Sequence, residues 1–241
     1  MNKIIRFVCL VCVALAVVSF AIGKKAPRVL IFSRTKGFHH ASIPVGIAAV
    51  QKIGSENNFI VDTTTDASYF TRKHLKKYAV VIFLNTTGDV LNDEQQKAFQ
   101  KYMRSGKGFV GVHAATDTEY EWPWYGKLVG AYYSSHPDIQ AAALQKVDTA
   151  HISCKHLPDR WTRTDEWYNF KEAPKDVTVL LKLDEATYQG GTMGDHHPMA
   201  WYHTFEGGRA FYTALGHTVE SYSDTLFLEH IRQGVIWASG K

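Results

Sequence analysis

Cysteine is the scarcest chemically informative residue in this 241-residue sequence. Three occur, and two of them, Cys9 and Cys12, fall at the extreme N-terminus. Cys154 is then alone, which excludes an intrachain disulfide framework from the rest of the chain. Charge of one sign is equally scarce. Lys and Arg total 27 against 23 Asp and Glu, a balance that gives no electrostatic case for nucleic acid or an anionic membrane. No HExxH spacing occurs, and no GxGxxG opens a helix after the first predicted strand, so a tightly bound dinucleotide is not expected. Repeats, low-complexity tracts and a second-domain linker are lacking too. A chain of this length can bury a full core as one domain, and its stability must come from that core.

One long apolar run is present. "VCLVCVALAVV" (8–18) follows Lys3 and Arg6 and precedes the small residues Ser19 and Ala21. That is the layout of a secretory signal, and the run is short for a comfortable membrane span. Residues 1–23 are therefore expected to be a signal peptide. Residues 24–241 are expected to be a single exported domain, periplasmic or extracellular, without membrane contact after cleavage.

The first half alternates two periodicities. "RVLIFS" (28–33), "FIVDTT" (59–64), "AVVIFLN" (79–85) and "GFVGVHA" (108–114) read as buried strands. Between them "IPVGIAAVQKIGSEN" (43–57) and "NDEQQKAFQKYMRSG" (92–106) carry helical spacing, the second opening on the capping candidate Asn92. This order predicts a doubly wound, mostly parallel α/β sheet with right-handed crossovers. Residues 119–176 are crowded with aromatics and show no long period, so they are expected to form an insertion near the site. "VTVLLKL" (177–183), "PMAWYHTF" (198–205) and "RAFYTALGH" (209–217) return to strands, with Gly207-Gly208 marking a late β-hairpin. A closing helix follows at 224–238.

Ligands of open α/β sheets bind beyond the carboxyl ends of the strands. That rule selects His39 and His40 after the first strand, His113, Thr116 and Asp117 after the fourth, and His217 after the last. Several imidazoles on one edge signal a site more strongly than any one of them would.

Six segments, "KGFHHASIP", "GFVGVHAATDT", "WPWYGKLVGAYYSSHP", "RTDEWYNF", "PMAWYH" and "GRAFYTALGHTVESY", together resemble the trehalose-utilisation (ThuA-like) family. The resemblance spans about residues 28–238. It implies a flavodoxin-like domain with the fold of class I glutamine amidotransferases and a role in carbohydrate metabolism. In amidotransferases the strand-to-helix elbow carries a cysteine, and a later strand end supplies a histidine with a nearby glutamate. Here the elbow reads Gly111-Val112-His113-Ala114-Ala115 and the later strand end Gly216-His217-Thr218-Val219-Glu220. A histidine thus replaces the nucleophile, Cys154 lies away from the elbow, and glutamine hydrolysis through a thioester is not expected.

Two readings of His113 and His217 stay open. They can form an acid/base pair at a sugar hydroxyl. They can instead ligate a divalent metal with a carboxylate, for which Glu166, Asp117 and Glu220 are candidates. His39, His40, Thr116, Asp117, His136, Asn169 and His197 are expected to orient hydroxyls. Trp124, Tyr125, Trp167, Tyr168 and Trp201 are expected to form flat apolar walls. The expectation is an exported hydrolase or lyase acting on a glucoside or 3-keto-glucoside through His113, His217 and Glu166; the keto-sugar idea comes from the family alone. The rivals are a noncatalytic sugar-binding protein, an interaction module on a decayed amidotransferase-like scaffold, and a metal-dependent hydrolase of a non-sugar ester or amide.

Overall fold

The computed structural model describes residues 26–240; the expected signal segment, with Cys9 and Cys12, lies outside them. The first half runs β1 (Arg28–Phe32), α1 (Ile43–Glu56), β2 (Ile60–Thr64), α2 (Arg72–Leu75), β3 (Val80–Leu84), α3 (Asp93–Arg104) and β4 (Gly108–Val112). Every residue of β3 and β4 is buried, as strands covered on both faces require. Adjacent residues of β3 face opposite helices: the Phe83 ring stacks on Phe99 of α3 at 5.4 Å, while Leu84 lies against Gly46 of α1. The sheet is doubly wound. Asn92 caps α3 reciprocally with Gln95, so the predicted start of that helix holds.

The second half adds α4 (Pro123–Val129), β5 (Tyr133–Ser135), β6 (Gln140–Lys146), β7 (Arg160–Asp165), β8 (Asn169–Phe170), β9 (Thr178–Asp184), β10 (Pro198–Phe205), β11 (Gly208–Thr213) and α5 (Thr225–Ala238). The nine-stranded sheet has the order β2-β1-β3-β4-β11-β10-β9-β6-β7, and β5 pairs with β8 in a small separate sheet. Strands β2, β1, β3, β4 and β11 are parallel neighbours, and only β10 and β6 run against the common direction. The expectation of a mostly parallel doubly wound sheet holds.

Two expectations need correction. The hairpin turn is Glu206-Gly207, both residues left-handed, and Gly208 already pairs with Phe205 in the ladder. The segment 119–176 is not a simple insertion either. It contributes β6 and β7 to the main sheet, and β7 alternates exposed and buried side chains along its length. That period of two is masked in sequence because its exposed arginine and threonines and its buried tryptophan, arginine and aspartate do not separate by polarity.

These added strands decide where the site forms. Strand β7 stands four ladder steps from β11, about 19 Å in a flat sheet at the usual strand spacing. Yet the Asp165 carboxylate, at the carboxyl end of β7, accepts a hydrogen bond from the Gly216 amide just after β11 at 3.0 Å. The sheet must curl to bring those ends together. Register shifts between β9 and β10 at Pro198–Trp201, and the start of β6 beyond its last pair with β9, supply the bend and the overhang.

Helix α5 also buries His230, whose Nδ1 lies 2.9 Å from the Ser153 carbonyl. Burial, reinforced by nearby positive charge, lowers its pKa from 6.5 to about 3. A histidine held neutral by the fold stabilises fully above its unfolded value of 6.5 and loses that contribution as pH falls towards 3. The variant His230→Gln, which keeps a donor for Ser153, should therefore reduce the acid slope of unfolding free energy. The reduction is expected to be up to about 1.4 kcal/mol per pH unit, read by urea denaturation from about pH 6 to pH 4.

Candidate functional site

The chain leaves β4 through His113, which adopts a left-handed conformation with φ of 48°. Such a backbone is uncommon outside glycine and marks a tight exit held by its surroundings. The elbow is close-packed, since a Cβ on Gly111 would meet Tyr212 at 3.0 Å and Ala115 at 3.1 Å. His113 is fully buried, and its Nδ1 lies 2.8 Å from the Ala214 carbonyl. That acceptor fixes the proton on Nδ1 and turns Nε2 towards the rim. The reason an imidazole stands at this elbow lies in what Nε2 meets.

It meets Glu166 Oε2 at 3.2 Å and His217 Nδ1 at 3.2 Å, and those two atoms are 2.9 Å apart. His40 completes the group. One ligand-capable atom each from His40, His113, Glu166 and His217 lies within 4.8 Å of the others. The His40 ring stands edge-on to both His113 and His217, at 5.0 and 5.1 Å, and its Nδ1 is buried without a hydrogen-bond partner. Burial is the main reason its pKa falls to about 3, with His113 and His217 adding to the shift. Burial pushes the Glu166 carboxyl up, but hydrogen bonds and charge from His113 and His217 outweigh it and hold the group well below the usual carboxylate range.

A buried carboxylate anchors the arrangement. Asp165 Oδ1 accepts from the amides of Glu166 and His217 at 3.0 and 3.1 Å. Its Oδ2 accepts from the Gly216 amide and the Ser221 hydroxyl and pairs with Arg163 at 3.1 Å. One side chain thus fixes both the β7 exit and the β11 exit. The small sheet closes the opposite side: β5 leads into His136, whose Nδ1 is 3.2 Å from Glu166 Oε1, and β8 follows Tyr168, whose ring lies 4.2 Å from His113. His40, His136, Glu166, Tyr168 and His217 line a pocket of about 250 Å³ with Phe38, Asp117 and Tyr133, and His113 lies buried directly behind Glu166 and His217.

The structure brings His40, His113, Asp117, His136, Glu166, Tyr168 and His217 together, and it places the other expected residues elsewhere. His39 is exposed and its Nδ1 lies 3.1 Å from the Thr35 hydroxyl, outside the pocket. Thr116 is buried beneath the elbow, bonded to Tyr212 at 3.0 Å. The tryptophans are not pocket walls. Trp167 and Trp201 are fully buried, and their indole N–H groups donate to the Gln140 and Val129 carbonyls. Trp124 stacks on Trp122 and donates to Glu206, and Tyr125 lies in the core with its hydroxyl on the Ala115 carbonyl. Large aromatic surface gains more from burial than from a polar rim, which sequence alone did not resolve.

Asn169 serves the backbone, bonding Gly190 and Thr192. His197 is buried outside the pocket, between the Tyr168 backbone carbonyl at 2.8 Å and Glu185 at 2.7 Å. Glu220 is exposed. Cys154 is buried, and burial pushes its thiol up to about 11; His151 pairs with Ser153 and His156 with the Leu226 carbonyl. Among the described residues only the four-residue group has the disposition of a metal site. Phe38 and Tyr133 were missed. Phe38, 65% exposed at the pocket mouth, carried a signal in being a large apolar ring beside two histidines.

Fold and rim together define the class: an α/β domain of glutamine amidotransferase-like architecture whose elbow carries histidine in place of the nucleophile. The ThuA family, described as trehalose utilisation, matches residues 28–238, and the chain belongs to it. A ThuA-like protein from Bacteroides uniformis is 27% identical with a TM-score of 0.76, covering 89% of this chain and 92% of that one. Another from Parabacteroides merdae is 23% identical at the same TM-score, covering 90% and 91%. A protein of the GMP synthase type from Thermoplasma acidophilum, 11% identical with a TM-score of 0.54, covers 89% and 95% and shares the fold. No curated protein matches the sequence.

Replacing Asp165 by Asn leaves the buried Arg163 short of its closest counter-charge and offers an amide hydrogen where backbone amides need an acceptor. The expected cost is about 3 kcal/mol, measured by urea denaturation. A loss below about 0.5 kcal/mol, the range of neutral surface changes, would contradict the anchoring role.

Proposed function

We propose that the protein is an exported enzyme of carbohydrate catabolism, a hydrolase or lyase acting on a glucoside or 3-keto-glucoside. The observation that carries this reading is the convergence of His40, His113, His217 and Glu166, from four separate segments, at a pocket of about 250 Å³ that His40, His217 and Glu166 line and His113 backs. That volume is below the ~300–1,000 Å³ of clefts for drug-sized ligands and suits one sugar ring. Through His136 the pocket adjoins a shallower depression of about 530 Å³ bordered by Asp138, Gln140 and Gln189. One ring would be enclosed and its aglycone would lie in the open groove. A larger cavity, about 840 Å³ beside α4, contains none of the clustered residues and has no part in this reading.

Sugars present C–H faces and hydroxyl edges, and the pocket offers partners for both. Phe38 and Tyr168 supply apolar rings, while Asp117 and His136 supply hydrogen-bonding groups. Burial raises the Asp117 pKa, while the Tyr120 hydroxyl donates to its carboxylate at 2.7 Å and fixes its direction. Breaking a glycosidic bond requires a proton to move at a sugar oxygen or carbon. In a 3-keto sugar the carbonyl acidifies the C2 hydrogen; its removal as a proton lets the C1–C2 double bond form while the C1–O bond breaks, and the aglycone oxygen leaves with the electron pair and takes up a proton. An imidazole can take or give a proton, and His113 and His217 are held beside Glu166 in a fixed geometry for either transfer. Membership of a trehalose-utilisation family supports a sugar substrate, and the N-terminal sequence supports export.

The test is a screen of native and 3-keto disaccharides with the protein lacking residues 1–23, with products identified by mass spectrometry. Turnover is expected, and His113→Ala and Glu166→Gln should each lower kcat by at least about 100-fold. Unchanged kcat in His113→Ala would overturn the assignment. Saturable sugar binding without any turnover would replace the enzyme by a binding protein.

A further inference from the structure

The three closest polar atoms of the site cannot be satisfied by protons. His113 Nε2, His217 Nδ1 and Glu166 Oε2 form a triangle with sides of 3.2, 2.9 and 3.2 Å. Because His113 donates through Nδ1 to Ala214, its Nε2 presents a lone pair when the ring is neutral. A single proton on His217 Nδ1 can serve one side of the triangle and leaves lone pairs opposed along another. Adding a second proton on His113 Nε2 directs two N–H groups at one oxygen and opposes them across the third side. With Glu166 a carboxylate, no placement of protons on the two rings gives every side a donor and an acceptor.

A cation inside the group removes the conflict. Atoms bound about 2.0–2.2 Å from one ion at tetrahedral or octahedral angles stand about 2.8–3.6 Å apart, and all three sides fall in that range. His40 adds a second, independent sign. It is 2% exposed, makes no hydrogen bond through Nδ1, and faces the other two rings edge-on. The supporting contacts also have the form that metal ligands require: Ala214 holds the far nitrogen of His113, His136 holds the second oxygen of Glu166, and Asp165 holds the backbone of Glu166 and His217.

We infer that His40, His113, His217 and Glu166 form a binding site for one divalent transition-metal ion, with His40 as a ligand rather than a substrate contact. Three imidazoles and one carboxylate suit zinc, iron, nickel or cobalt better than calcium or magnesium, which prefer all-oxygen shells. The inference deepens the proposed function, and its catalytic meaning rests on that reading: with His113, His217 and Glu166 as ligands the ion would act as a Lewis acid towards a sugar carbonyl or hydroxyl oxygen, and Asp117 or His136 in the same pocket would move the proton.

The experiment uses the protein lacking residues 1–23, made without a histidine tag, stripped with chelator and titrated with ZnCl2 and CoCl2 by calorimetry. The cobalt form is also followed by visible absorption. The expected result is a single ion per chain, with d–d bands that report imidazole and carboxylate ligation. His40→Ala and Glu166→Gln should each weaken affinity at least about ten-fold, while His151→Ala should leave it unchanged. Circular dichroism confirms that each variant is folded, and a misfolded His40→Ala would be replaced by His40→Gln. Absence of stoichiometric binding to the unsubstituted protein would overturn the inference, as would affinity insensitive to both site variants. Full sugar turnover by chelator-stripped protein would overturn the Lewis-acid role given to the ion while leaving the proposed function standing. Tight, site-dependent binding without turnover of any sugar would sustain the inference and remove the proposed function.

Discussion

The buried carboxylate of Asp165 is the constraint on which the site depends. A fully buried anion is costly unless several donors and a counter-charge surround it. Asp165 has both: three backbone amides, the Ser221 hydroxyl and Arg163. Because the donors come from the exits of both β7 and β11, solvating this anion internally holds two distant strand ends together. Arg163 extends the connection, since it also reaches Asp224, whose carboxylate caps the start of α5. The closing helix, the last core strand and the outermost strand are thereby joined through one ionic group.

Function and strain meet at the next link. His113 occupies a left-handed backbone position while fully buried, and its ring orientation is set by the Ala214 carbonyl. A polar residue in such a place lowers stability unless its surroundings over-determine it. The strand-to-helix elbow of the amidotransferase-like fold presents one side chain at the sheet edge whatever its chemistry. Here that position carries a nitrogen donor, and the neighbouring strand ends supply matching donors. The scaffold is a glutamine amidotransferase-like fold, while the chemistry is decided by the rim.

Much of the fold was legible because parallel strands buried on both faces leave continuous apolar runs, as in Val80–Leu84 and Gly108–Val112. The rim histidines after β1, β4 and β11 were legible for a related reason: the carboxyl-edge rule maps strand ends directly onto a site. Trp167 and Trp201 were not separable from sugar-stacking walls, because a buried core indole and a pocket indole have the same sequence signature. Strands β6 and β7 escaped recognition since their buried faces mix alanine, tryptophan, arginine and aspartate. Buried ionic groups hide the period that an apolar pattern would reveal.

The sequence by itself determined the alternation of strands and helices, the placement of imidazoles at strand ends, and the family. Those properties follow from local periodicity and from residues adjacent in the chain. Only the tertiary structure decided that His40 joins His113 and His217, that Glu166 rather than Asp117 or Glu220 is the carboxylate between them, and that the tryptophans belong to the core. These depend on the curl of the sheet, which brings residues 40, 113, 166 and 217 within a few ångströms of one another. Curl is set by register shifts, overhangs and a buried salt bridge between remote segments, none of which has a local pattern along the chain.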